Sequence, residues 1–301
     1  MRRGINLGNA LEAPNEGEWG YRIEPAHLAA IADAGFDGVR LPVRWDAHTE
    51  TAPPYVIAPA FIDRVDQVIA AALERGLKVQ LDCHHYEALL AAPERERERF
   101  VSIWRQISEY FSATPADLMF EPLNEPNGQR WRGARLSALQ GEALAAIRET
   151  NPTRLVVLGP GDWNAIDALA DWRPPAGENI AASVHYYEPH DFTHQNAEWL
   201  GASAPRFDRD WGAPGDLDRV ARHARRAAEW AAANGVALQL GEFGVNSAAP
   251  LAQRALWARN VRSGFERAGA GWCVWDFAGA FAVWDRQAGA FIPEMLDALM
   301  N

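Results

Sequence analysis

Leu118-Met119-Phe120-Glu121-Pro122-Leu123-Asn124-Glu125-Pro126 is a short, largely apolar run that closes on a carboxylate. Its near-continuous apolar character is that of a parallel strand buried on both faces. A second run of the same build is Ala237-Leu238-Gln239-Leu240-Gly241-Glu242-Phe243-Gly244, with Glu242 where strand gives way to loop. Working outward from these two, strands are predicted at residues 3–7, 38–42, 78–83, 119–124, 154–158, 180–185, 237–241 and 272–276. Between them lie stretches with apolar residues at three- and four-residue spacing, clearest at 59–74, 94–111 and 216–234. Gly35, Gly76 and Gly235 follow helical stretches, where a left-handed cap is preferred. Strand–helix units repeated eight times predict an α/β fold of the (β/α)8 TIM-barrel type. A doubly wound sheet is the competitor, but Gly4-Ile5-Asn6-Leu7-Gly8-Asn9-Ala10 lacks the Gly-rich phosphate turn typical of it. No linker or low-complexity segment interrupts the pattern, so residues 1–301 read as one domain.

With 48% of its 301 residues in the hydrophobic class, the chain can bury a large core. Its formal charge of -11 argues against a nucleic-acid partner, because phosphate binding needs a basic face. No apolar stretch reaches the roughly 18 residues that span a bilayer, so no membrane partner is expected. Met1-Arg2-Arg3 leads straight into the first strand, without the apolar segment of roughly 7–15 residues that marks a signal peptide. Two expectations stay open: a cytoplasmic protein, or a leader absent from this chain. Cys83 and Cys273 fall on the third and eighth strands, which are not neighbours in a barrel. Alternation turns Cys83 outward and Cys273 inward, so two buried free thiols are expected. The acid–base alternation of residues 94–99 reads as a solvated helix face.

In a barrel, chemistry sits at the C-terminal ends of the strands. Those ends carry Asn6, Arg40, His84 and His85, Asn124 and Glu125, His185 and Tyr187, Glu242, and Trp275, with Trp163 shortly after the fifth strand. Any one of these has a bland structural reading; the whole set at one face does not. Three steps around an eight-membered ring place Glu125 and Glu242 nearly opposite each other. Carboxyls on the order of 5 Å apart break a glycosidic bond with retention, whereas roughly 6.5–9.5 Å leaves room for a water and inverts. Parity points Glu121, Leu123 and Glu125 inward, so Asn124 needs a bulge or twist to join them. Gln80, Asp82 and His84 share one face. A metal site on Asp82 and His84 ranks below a structural role, because no Cys or His-x-His partner completes a ligand set. The loop at 188–215, carrying Phe192, Trp199, Phe207 and Trp211, is expected to wall the mouth.

These residues resemble glycoside hydrolase family 5, the cellulases and mannanases. The resemblance covers nearly the whole chain. It is carried by Arg3-Gly4-Ile5-Asn6-Leu7-Gly8-Asn9, Val39-Arg40-Leu41-Pro42, His84-His85-Tyr86 and Leu123-Asn124-Glu125-Pro126. His185-Tyr186-Tyr187, Gly241-Glu242-Phe243-Gly244 and Trp275-Asp276-Phe277 continue it. Leu11-Glu12-Ala13-Pro14 and Thr193-His194-Gln195 are similar to bacterial endoglucanases, some of which also accept mannans.

The resemblance implies that Glu125 is the general acid/base and Glu242 the nucleophile. It implies that Arg40 and Tyr187 hold the nucleophile ionised and that Asn124 donates to the sugar 2-hydroxyl. His185 would stand beside the acid/base, His84 would be a subsite ligand, and Trp275 the platform under the sugar at the cleavage point. Asn9, Glu12 and His85 are expected to meet hydroxyls. Of the 13 tryptophans, Trp163, Trp199 and Trp284 follow strands and are expected at outer subsites. Trp104, Trp230 and Trp257 sit in helical patterns and are expected to pack. Relatives often carry Glu after the strand-eight tryptophan; Asp276 departs from that and is expected to alter a sugar contact.

The implied activity is a retaining endo-β-1,4-glucanase, with a β-mannanase or mixed β-glucan and glucomannan hydrolase as the alternative. A non-catalytic carbohydrate-binding barrel and a metal-dependent hydrolase are the readings of other classes. A non-catalytic barrel is expected to have lost one carboxylate, and this chain keeps both. No cofactor or metal is called for, the partner is a β-linked polysaccharide or oligosaccharide, and a monomer is expected. A polymeric substrate implies an extracellular or periplasmic enzyme.

Overall fold

Parallel strands exposed on neither face need helices on the outside and side chains filling the inside. The computed structural model, which describes residues 1–203 and 211–301, has that form. The strands are β1 (Arg3–Asn6), β2 (Gly38–Val43), β3 (Lys78–Cys83), β4 (Leu118–Glu121), β5 (Val156–Leu158), β6 (Ile180–Tyr186), β7 (Ala237–Phe243) and β8 (Gly271–Val274). They close in sequence order into a barrel, with β1 paired to both β2 and β8. Every residue of β2 and β6 is buried.

The helices Pro59–Glu74, Pro93–Tyr110, Pro214–Ala233 and Leu251–Arg267 belong to the outer ring. Trp104 packs at 5.6 Å from Phe120, and Trp257 lies against Tyr186 and Phe243. Both indoles are fully buried, while Trp230 is half-buried and stacks on Trp172 at 5.2 Å. Gly35, Gly76 and Gly235 take φ of 91°, 74° and 68° directly after helices, the left-handed cap that an L side chain resists.

β4 is shorter than the sequence predicts. Pro122 has no N–H to donate, and the ladder to β3 resumes only where Asn124 N donates to the Cys83 carbonyl at 3.0 Å. The 94–99 segment is not wholly a solvated face. Arg99 is buried, and its guanidinium donates to the carbonyls of Asp46, Thr49 and Glu50. Both cysteines are buried free thiols, and Cys273 Sγ accepts from Gln239 Nε2 at 3.2 Å. Among the described residues no helix is long and apolar enough to cross a membrane.

Candidate active site

The floor of the barrel mouth is organised around Arg40. Register places Asn6, Arg40 and Gln80 side by side on β1–β3, with Asp82 and Glu121 paired one step further along. The Arg40 guanidinium is completely buried. Its Nε and Nη2 donate to the two oxygens of Glu121 at 2.6 and 3.0 Å. Nη2 also meets Asp82 Oδ2 at 3.0 Å and Asn124 Oδ1 at 2.7 Å. Nη1 donates to Glu242 Oε1 at 2.7 Å and to Asn6 Oδ1 at 2.9 Å. A buried guanidinium is tolerable only with such pairing. One cation cannot neutralise every carboxyl in the group, and burial pushes Asp82 up to about 7.

Glu242 reaches this floor through a bulge. The β6–β7 register shifts at Val184/His185: Val184 pairs with Leu240 and His185 with Glu242, so that His185 rather than Tyr186 stands opposite Glu242. Gly241 is the extra residue, and a Cβ there would lie 2.3 Å from Ser183 Oγ and 3.0 Å from His185 Nε2. Tyr187 Oη donates to Glu242 Oε2 at 2.8 Å. His185 Nδ1 lies 2.7 Å from Glu125 Oε1 and 3.6 Å from Glu242 Oε2. One oxygen of each glutamate and one nitrogen of His185 all fall within 4.8 Å of one another.

The two glutamates have different surroundings. Burial pushes both upward, each to about 7, so what separates them is their bonding. Arg40 and Tyr187 bond directly to Glu242 alone, so the negative charge settles there first and Glu125 keeps its proton longer. Burial also lowers His185 to about 4, so its ring is neutral near pH 7.

Asn124 and Glu125 are consecutive yet both face the mouth, because Glu125 has φ of 46°. His84 and His85 use the same device at φ 53° for His85, and Asn9 stands at 64°. Left-handed non-glycine residues are uncommon and cluster where function over-determines the backbone.

A cleft of about 870 Å³ opens over these groups. Asn9, His84, His85, Trp163, Trp199 and Trp275 line it with Glu125, His185, Tyr187 and Glu242. His84 donates from Nδ1 to Asp82 Oδ2 at 2.5 Å, and its ring lies parallel to Trp275 at 5.6 Å. Its Nε2 accepts from Asn124 Nδ2 at 3.3 Å. Trp163 and Trp199 are 56% and 57% exposed, as open platforms must be. Of the long loop's aromatics, Phe192 and Trp211 are buried, and Phe207 lies outside the described residues.

Three expected substrate contacts are corrected. Glu12 is buried, and its carboxylate accepts the backbone N–H groups of Asn9 and Ala10, so it closes its own turn. Asp276 is fully buried and accepts from Asn9 Nδ2 at 2.6 Å and from the N–H of Gly279 and Phe281. Trp284 belongs to the hairpin Trp284–Asp285 with Ala290–Phe291 and stacks on Phe277 at 5.1 Å, away from the cleft. Sequence reasoning also missed lining residues: Trp19, 42% exposed and 5.7 Å from His85, together with His190, His194 and Phe281. A tryptophan held between Gly17 and Gly20 in the loop after β1 was the available signal for Trp19.

A family model described as cellulase (glycosyl hydrolase family 5) matches residues 6–280. Endoglucanase H of Acetivibrio thermocellus is 35% identical, with all of this chain aligned to 33% of that protein. The cellulase/esterase CelE of the same organism is 27% identical over all of this chain and 39% of its own length. The chain thus spans between a third and two fifths of these two relatives. Among solved structures, a hyperthermophilic endo-β-1,4-glucanase in complex with substrate is 36% identical at a TM-score of 0.97, covering 100% of this chain and 96% of that one. Thermotoga maritima Cel5A in complex with mannotriose is 38% identical at a TM-score of 0.96, covering 100% and 97%.

Proposed function

The chain belongs to the cellulase family, glycosyl hydrolase family 5, and from there we propose that it is a retaining endo-β-1,4-glucanase in which residues 1–301 act as one catalytic barrel. The observation that carries this reading is the pair Glu125 and Glu242, with oxygens within 4.8 Å across an open cleft. That separation leaves no space for a water between nucleophile and sugar, and so favours double displacement.

In the first half-reaction Glu242 attacks the anomeric carbon while Glu125 gives its proton to the departing glycosidic oxygen. Arg40 and Tyr187 hold Glu242 ionised and aimed. Once Glu242 has spent its charge on the ester bond, the carboxyl beside it loses a proton more easily. Glu125 then takes a proton from water, which attacks the same carbon and frees Glu242. Asn124 Oδ1 is tied to Arg40 and one N–H of its amide to His84, which leaves the second N–H for the sugar 2-hydroxyl. Trp275, stacked behind by His84, offers a flat apolar face for the pyranose ring. Exposed indoles on the β1 side (Trp19) and the β5–β6 side (Trp163, Trp199) suit a chain that crosses the mouth and is cut internally.

A second reading, cleavage of glucomannan or mannan as well, is favoured by the likeness to Thermotoga maritima Cel5A, a protein solved in complex with mannotriose as substrate. The test is reducing-sugar release from carboxymethyl cellulose and from glucomannan by the native chain, Glu125→Ala and Glu242→Ala, with EDTA present. Release by the native chain alone supports the two-carboxylate reading, and the ratio between polymers ranks the substrates. Full activity in either variant, or abolition by EDTA, refutes it.

A further inference from the structure

Behind His185, opposite Glu125, lies Asn164. It is completely buried, and its Nδ2 is 3.2 Å from His185 Nε2. It ends the short segment Gly161–Asn164, in which Asp162, Trp163 and Asn164 have φ of 53°, 58° and 56°. Three successive left-handed non-glycine residues are strained, since each brings its Cβ against the following carbonyl. The surroundings are shaped to hold them. Gly159 has no Cβ, and one there would lie 2.3–2.5 Å from the Asn164 amide. At Gly161 a Cβ would lie 2.4 Å from the Trp131 carbonyl. Trp163 N donates to the Pro126 carbonyl at 3.3 Å, tying the turn to the loop that carries Glu125. The turn does two things at once: it presents Trp163 to the cleft and directs Asn164 at the far nitrogen of His185.

We propose that Asn164 is a positioning residue that fixes the tautomer of His185, and through it the oxygen of Glu125 that carries the transferable proton. This rests on the two-carboxylate reading above. The amide N–H needs an acceptor, which Nε2 provides only when it bears no proton. The ring proton of the neutral imidazole is then on Nδ1 and is donated to Glu125 Oε1 at 2.7 Å. A proton on Oε1 would confront that N–H, so the acid carries its proton on Oε2. On glycosylation the Oε2 proton passes to the leaving oxygen as the bond from the anomeric carbon to that oxygen breaks and the bond to Glu242 forms. On deglycosylation water gives a proton to Oε2 as its oxygen bonds to the anomeric carbon and the ester to Glu242 breaks. The same Nδ1–H stabilises the Glu125 carboxylate in between.

The experiment compares kcat/KM for native, Asn164→Ala and Asn164→Asp on cellotetraose, whose leaving group needs a proton, and on 2,4-dinitrophenyl β-cellobioside, whose leaving group does not. Asn164→Asp keeps the shape and removes the donor. Loss of proton placement lowers kcat/KM on cellotetraose by at least about tenfold and on the aryl substrate by less than about threefold. Equal losses on both substrates would mark a merely structural role and overturn the proposal. Retention of cellotetraose activity by Asn164→Asp would overturn it too. Nitrogen-15 NMR of the histidines in the native protein is a reading that no variant's folding can obscure. A proton on His185 Nδ1 is expected, and one on Nε2 refutes the assignment. If the native chain cleaves neither substrate, the fault lies with the two-carboxylate reading itself, whatever the tautomer.

Discussion

Tyr187→Phe is the cleanest single perturbation of the charged pair. It removes one oxygen, Oη, which donates to Glu242 Oε2 at 2.8 Å. The rest of the residue stays supported, with its ring 5.1 Å from His194 and 5.9 Å from Phe281 and its carbonyl accepting from Thr193 Oγ1 at 2.7 Å. A hydrogen bond to a charged group contributes roughly 1.5–3 kcal/mol. At about 1.36 kcal/mol per unit, its loss raises the Glu242 pKa by about 1–2 units. Burial is the largest influence on Glu242, and Tyr187 opposes it less than Arg40 does, so the lower end applies. The nucleophile works ionised, so a raised pKa moves the acid limb of the kcat/KM profile to higher pH. Below that limb the variant is slower by about tenfold, one unit of pKa. On the plateau the loss is smaller, because the charge that Tyr187 stabilises is leaving Glu242 in the transition state. The assay is kcat/KM against pH on an aryl cellobioside whose leaving group needs no acid, so that Glu125 does not enter the glycosylation step. An acid limb that stays in place in Tyr187→Phe would refute the role given to that hydroxyl.

Other outcomes follow from the same geometry. Trp163→Ala removes an exposed platform worth about 1 kcal/mol of stacking, so KM on cello-oligosaccharides rises about fivefold while thermal stability holds. An unchanged KM contradicts its place in the subsites. Asp276→Ala strands the Asn9 amide and the N–H of Gly279 and Phe281, so unfolding free energy falls by about 1–3 kcal/mol in a denaturant titration. A neutral effect would mean that those donors find other partners. Stability should also depend on pH with a definite sign. Burial holds the Glu12 carboxyl at about 8 and those of Asp82 and Asp276 at about 7, so the folded chain keeps protons that the unfolded chain has shed. Below pH 6.5 the histidines that burial keeps neutral, such as His185 and His194, pull the other way. Above about pH 7.5, where the unfolded histidines have also shed their protons, the acids prevail and the melting temperature declines; a rise from there to about pH 8.5 would contradict their burial.

The barrel was legible because parallel strands buried on both faces leave dense apolar runs, and β3 has the bounds its run predicts. β4 was over-read because Leu123 continues the apolar run although Pro122 has already broken the ladder. The strand ends were legible as a set, since charged and aromatic groups at one rim have no packing purpose. What the sequence hides is direction. Glu12 and Asp276 follow strands just as Glu125 does, yet their carboxyl groups turn back onto backbone N–H groups. Trp284 follows a strand as Trp163 does, but a hairpin folds it against Phe277. Asn164 gave no signal at all, because its place depends on three left-handed residues that no periodicity announces. Parity alone left Asn124 outside, and φ of 46° at Glu125 is what admits both neighbours.

The most direct test of the central claim is the anomeric form of the first product, followed by proton NMR during hydrolysis of a cello-oligosaccharide before mutarotation intervenes. Glu125 and Glu242 with oxygens within 4.8 Å predict initial release of the β-anomer. Initial release of the α-anomer would mean single displacement by water and would contradict the mechanism drawn from these two carboxylates.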